Sequence, residues 1–139
     1  MTQRNTHGTW IMTFDNRMLH NEPTIALNEE GCYEWFEEMK DRVLSSSEGD
    51  TTPWVLLTDI REWEGASLEA WPVIDEITTW EKEHYCVFIA VVLKHELYRY
   101  TNEKHLNETN KSIIWLFGDY DEAYQACLDA LTKAQNQQD

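Results

Sequence analysis

The sequence predicts an α/β domain: a mostly parallel sheet of about five strands, with an antiparallel edge, and four helices. Three observations lead there. Short apolar runs at 54–58, 85–93 and 112–117 are rich in Val, Ile, Leu and aromatic residues and hold no proline, as in strands covered on both faces. The segments between them carry apolar residues at helical period. Strands that alternate with helices assemble into parallel sheets through right-handed crossovers.

Each element has its own signal. Residues 8–14 read as a strand, with Trp10, Met12 and Phe14 alternating against Thr9, Ile11 and Thr13. Asp15 and Asn16 signal a turn, and 17–20 return as a second short strand. Pro23 then separates this ribbon from the first helix, although 24–27 could extend the second strand. Cys32, Trp35, Phe36, Met39 and Val43 recur at helical spacing and mark the buried face of that helix, over 28–44. Asn28 is its N-cap, and Glu29 and Glu30 suit the positive end of the helix dipole.

The polar run 45–52, ended by Pro53, is short enough to be a connection inside one domain. Strand 54–58 comes next, and then a helix over 67–83 in which Pro72, with no N–H for the ladder, should mark the first turns or kink the helix. Residues 85–93 form the strongest strand, 95–106 a third helix, and 107–110 a polar break. Strand 112–117 closes at Gly118, and Asp119 to Glu122 resembles a capping box opening a last helix. Ala123, Tyr124, Cys127, Leu128 and Leu131 form its expected buried stripe, and 135–139 should fray. The expected order is β-β-α-β-α-β-α-β-α in a single domain spanning 1–139.

Composition narrows the function. With 42% hydrophobic and 27% charged residues, this is an ordinary globular chain, long enough to bury a core without disulfides or metals. The net charge of -15 is extreme, and the eleven Lys and Arg form no run. Nucleic acid and anionic membrane are therefore not expected partners. The longest apolar run, 85–93, is too short to cross a bilayer, and 1–8 lacks a signal-peptide core, so a cytoplasmic address is expected. Cys32, Cys86 and Cys127 match neither a disulfide framework nor a zinc site and read as small buried hydrophobes. The five histidines make no pair at metal-binding spacing, and phosphate-loop, dinucleotide and serine-hydrolase motifs are absent. No metal and no cofactor are expected.

The most informative stretch is 53–71, P-W-V-L-L-T-D-I-R-E-W-E-G-A-S-L-E-A-W. A buried strand ends at Asp59, an acidic and aromatic connection succeeds it, and a helix begins near Ser67. In open α/β sheets this edge is where ligands and partners are met. Together with the leading ribbon and the helix 28–44, the stretch resembles the SpoIIAA-like (STAS) fold family, the anti-sigma-factor antagonists and their relatives, including short bacterial members of unassigned function. The resemblance in element order covers nearly the whole chain, and the motif itself covers about twenty residues.

The resemblance implies a STAS-like α/β fold and a regulatory, non-catalytic module. In the family's antagonists, the loop after this strand carries Asp-Ser-Ser-Gly, whose serine a partner kinase phosphorylates. Here the corresponding residues are Glu64, Gly65, Ala66 and Ser67. The missing Asp and Gly, and the crowding by Glu62, Glu64 and Glu69, argue against Ser67 as a phosphoacceptor. Ser67 also reads as a plain N-cap.

The first functional expectation is a non-enzymatic regulatory or protein-interaction module that docks a partner through Asp59, Arg61, Trp63, Ser67 and Trp71. Trp63 leads this set, because nothing in the periodicity demands its burial. The alternative is a binder or sensor of a small apolar ligand, with Trp54, Trp63, Trp71 and Trp80 either lining a pocket or packing the helix onto the sheet. A third reading is an enzyme using acids such as Glu62 or Glu64. The oligomeric state is open, a homodimer included.

Overall fold

The alternation in the first ribbon produces a hairpin. Strand β1 (Trp10–Asp15) turns through Asn16 and Arg17 and returns as β2 (Met18–Pro23). Both turn residues have positive φ, 52° and 64°, the geometry whose twist matches that of the flanking strands. The structure, a computed structural model, describes residues 9–24, 26–46, 51–94 and 113–137. β2 runs past the expected end at 20 and stops at Pro23, so the proline closes the strand. Beyond it, Leu27 makes only an isolated parallel bridge to Ala66.

Helix α1 (Glu29–Leu44) starts as its sequence dictates: Asn28 Oδ1 accepts from the Gly31 N–H at 2.8 Å. Its buried face holds Cys32, Phe36, Met39 and Val43, while Trp35, expected on that face, is only half-buried. Strand β3 (Trp54–Asp59) is buried throughout except at half-buried Thr58. The next helix departs from expectation. Ser67 is extended, at φ -68° and ψ 161°, and its N–H donates to Leu27 O at 2.9 Å. A single 3-10 turn (Leu68–Ala70) follows, and helix α2 (Trp71–Glu83) begins only at Trp71, with Pro72 in its first turn. The backbone of Ser67 is spent on the bridge to the Leu27 segment, so it does not open the helix. Its side chain makes no capping hydrogen bond.

Strand β4 (Cys86–Val92), strand β5 (Ile114–Phe117) and helix α3 (Tyr120–Gln137) complete the described elements. Asp119 Oδ2 accepts from the Glu122 N–H at 2.9 Å, as the capping pattern predicts. Tyr124, placed on the buried stripe from sequence, is 42% exposed. Three α-helices lie among the described residues, not four, and the expected helix at 95–106 falls outside them.

The strands lie in the order β1-β2-β3-β4-β5. β1 pairs antiparallel with β2, and the β2–β3, β3–β4 and β4–β5 pairings are parallel. The sheet is therefore mixed, and that description replaces the expected mostly parallel one.

Side chains alternate across the sheet and divide the core in two. Leu19, Leu56, Ile89 and Ile114 pack with α1 and α2, while Val55, Leu57, Ala90 and Val92 pack with α3. Val87 and Val91 lie in the run read as a strand covered on both faces, but they are only partly buried. All three cysteines are buried, and burial pushes the Cys32 thiol up to about 11 and the Cys127 thiol up to about 12.

Candidate binding site

The helical period of α2 places Trp71, Ile74, Ile77, Thr78 and Glu81 along one side of the helix. That side faces a stretch of sheet in which Leu56 and Thr58 of β3 are flanked by Asn21 of β2 and by Ile89 and Val91 of β4. Trp35 of α1 and Ile60 and Trp63 of the loop after β3 complete the walls. These residues enclose a cavity of about 410 Å³, within the range of small-molecule sites. The backbone explains its place. The Leu27–Ala66 bridge ties the loop to the segment ahead of α1 at the carboxyl ends of β2 and β3, where α/β sheets meet ligands.

The lining is apolar with a few polar exceptions, and those are the informative ones. Asn21 is 1% exposed and Glu81 2%. Asn21 Oδ1, Glu81 Oε2 and the indole nitrogens of Trp35 and Trp63 are buried with no hydrogen-bond partner among the described residues. Buried polar atoms in folded proteins nearly always have a partner. All four atoms belong to residues of the cavity lining, which is mostly apolar with a few polar side chains, as binding sites are. Burial pushes the Glu81 carboxyl up to about 8, so near neutral pH it holds its proton. Thr78 differs, since its hydroxyl donates to Ile74 O at 3.1 Å.

The residues singled out from sequence do not form one site. Trp63 and Trp71 line the cavity, Trp63 half-buried and Trp71 47% exposed at its rim. Asp59 and Arg61 lie on the α3 side of the sheet. Arg61 Nη2 donates to Asp59 Oδ2 at 2.7 Å, Nε to Oδ1 at 2.9 Å, and the Arg61 backbone N–H to Oδ1 at 3.1 Å. Burial pushes the Asp59 carboxyl up, but these bonds and the guanidinium charge outweigh it and hold the group below its usual value. The guanidinium sits 5.7 Å from the centre of the Tyr120 ring. The pair fixes the chain as it leaves β3. Ser67 does not line the cavity, and its hydroxyl is buried without a partner among the described residues.

Trp54 and Trp80 belong to the core. Trp54 is fully buried and donates its indole N–H to His84 O at 2.6 Å. Trp80 meets Phe36 edge-on and stacks on His84. Glu62 and Glu64 are exposed and take no part in the lining. Asn21, Trp35 and Glu81 are among the lining residues that a reading of the sequence does not single out as site residues. Two leave a trace there. Glu81 continues the stripe of Val73 and Ile77 with an acid, and Asn21 falls two residues after buried Leu19, on the same face of β2.

No protein-family model and no curated protein matches the chain. Solved structures do. A DUF3478-family protein from Shewanella loihica, described as having a SpoIIAA-like fold, superposes with a TM-score of 0.65. It is 20% identical over 91% of this chain and 98% of its own. The fold is SpoIIAA-like. An anti-sigma factor antagonist from Mycobacterium paratuberculosis shares it at a TM-score of 0.60 and 14% identity, over 88% of this chain and 96% of that one. Unphosphorylated SpoIIAA, an anti-sigma factor antagonist, does so at 0.57 and 3% identity, over 87% and 98%. In this SpoIIAA-like frame the cavity lies between the sheet and the α1–α2 layer. Among the described residues, no helix is long and apolar enough to cross a membrane.

Proposed function

We propose that the protein is a non-enzymatic regulatory module: a small apolar molecule in the cavity is its input and a protein docked on the strand-helix edge reads it. One observation carries this reading. Trp71 lines the cavity and is also 47% exposed beside Leu68, which is 83% exposed. A guest inside and a partner outside would touch the same side chain, so occupancy can alter the docking surface without a large rearrangement. The shared fold with two anti-sigma factor antagonists supports the protein-interaction half. The orphaned polar atoms and the apolar walls support the ligand half. An enzyme reading through Glu62 and Glu64 draws no support from the cavity, because both stand outside it.

The experiment is a titration with Nile red, a neutral apolar dye, followed by its fluorescence. The wild-type protein should bind one equivalent, and Ile74→Trp, which fills the space from a half-buried position, should not. Circular dichroism confirms that the variant is folded. Equal dye binding by both proteins would place the dye elsewhere and overturn the ligand half of the proposal.

A further inference from the structure

The cavity's polar groups are not evenly spread, and that asymmetry defines its guest. Trp71 to Glu81 spans about 15 Å of helix axis at 1.5 Å per residue, with Trp71 at the exposed rim and Glu81 fully buried at the other end. The lining is thus elongated, and its inner end carries a carboxyl group whose Oε2 has no partner among the described residues. Glu81 is also the only ionisable residue among the described residues that line the cavity, and none of those residues is a Lys, Arg or His. A carboxylate- or phosphate-headed amphiphile would find no counter-charge there and would meet an acid. A head that donates hydrogen bonds would give Oε2 the partner it lacks.

Resting on the ligand reading above, we infer that the cavity takes an aliphatic amine, its ammonium group seated on the Glu81 carboxylate and its apolar tail lying along Ile77 and Ile74 toward Trp63. Glu81 holds its proton in the free protein, and on binding that proton passes to the nitrogen of a neutral amine, or to solvent when the amine arrives as ammonium, which leaves an ammonium–carboxylate pair. Charge-assisted hydrogen bonds of this kind are roughly twice as strong as neutral ones. The cost of burying an ammonium is offset only where a carboxylate stands opposite it, and among the described lining residues Glu81 is the one group that can do so. Asn21, near the carboxyl ends of the strands, is left to a second polar group on the guest or to none; the assignment of the head rests on Glu81.

Three probes with the same tail separate head from tail: decylamine, decanol and decanoate, each competed against Nile red. Wild-type protein should take decylamine about tenfold more tightly than decanol, with decanoate weakest. Glu81→Gln keeps the size and removes the charge. It should bring decylamine to within about twofold of decanol while leaving decanol binding intact.

The control matters because the protein's charge of -15 attracts any cation to its surface. A preference for amine that survives in Glu81→Gln is therefore surface attraction and overturns the assignment. Equal displacement by decanol and decylamine in the wild type overturns it too, yet leaves the ligand reading standing. Failure of every probe to displace the dye from wild type, with Ile74→Trp binding dye as well, removes the ligand reading and this inference with it.

Discussion

Glu81 is the residue on which function and stability most plainly oppose each other. In the folded chain its carboxyl is held up at about 8, against an ordinary 4.5, because burial penalises the charged form. The sign comes from linkage. Below about pH 4.5 both folded and unfolded states carry the proton and Glu81 adds no pH dependence. Between 4.5 and about 8 the unfolded chain releases a proton that the folded chain keeps, so this residue's contribution to stability falls as pH rises. Above about 8 the penalty is constant. Denaturant melts of wild type and Glu81→Gln should converge near pH 4.5 and diverge toward pH 8, with the variant the more stable by about 1 kcal/mol or more. Parallel curves across that window would mean that the carboxyl is hydrated or paired.

Trp63 poses the opposite question. It is half-buried beside a cavity and not locked inside the core, so Trp63→Ala should lower stability by about 1 kcal/mol, against about 3 kcal/mol for a core aromatic. Dye binding should fall with it, as a titration alongside the denaturant melt would show. A loss near 3 kcal/mol would instead make Trp63 a cover for the end of the core.

At the scale of elements, much is legible in the sequence because local chemistry and tertiary packing agree. The Asn28 cap, the α1 stripe and the Asp119 turn all form where their residues put them. Asn28→Ala should lower stability by about 1 kcal/mol in a thermal melt, since it orphans the Gly31 N–H. The start of α2 misleads for a physical reason. A serine ahead of an apolar stripe looks like a cap, but the Ser67 N–H is committed to Leu27 O, across a separation in sequence that no local pattern reports. The site is only half legible on the same grounds. Alternation and period show which way a side chain points, and they bring out Trp63 and Trp71. They cannot show that Trp35, Asn21 and Glu81, from three elements, converge on one space.

Burial within β4 is likewise graded by its neighbours. Ile89, 4% exposed and packed between β3, β5 and α2, should lose about 3 kcal/mol or more on substitution by Asp, and partly buried Val87 distinctly less. Denaturant midpoints for the two variants check the ranking, and an Ile89→Asp midpoint near wild type would refute the burial of that position.

For the whole molecule, charge and fold point the same way. A net charge of -15 opposes binding to polyanions, so the full chain should show no saturable submicromolar binding to an unrelated DNA duplex at physiological salt. The SpoIIAA-like fold holds an apolar cavity beneath its strand-helix edge, and the proposed function joins a docking surface on that edge to a small molecule inside. The most direct measurement of that claim is native mass spectrometry of the freshly purified full chain, alone and after incubation with decylamine. The expected result is a one-to-one small-molecule adduct that is lost on denaturation and is absent from Ile74→Trp. Only the bare polypeptide mass in wild type under both conditions would contradict it.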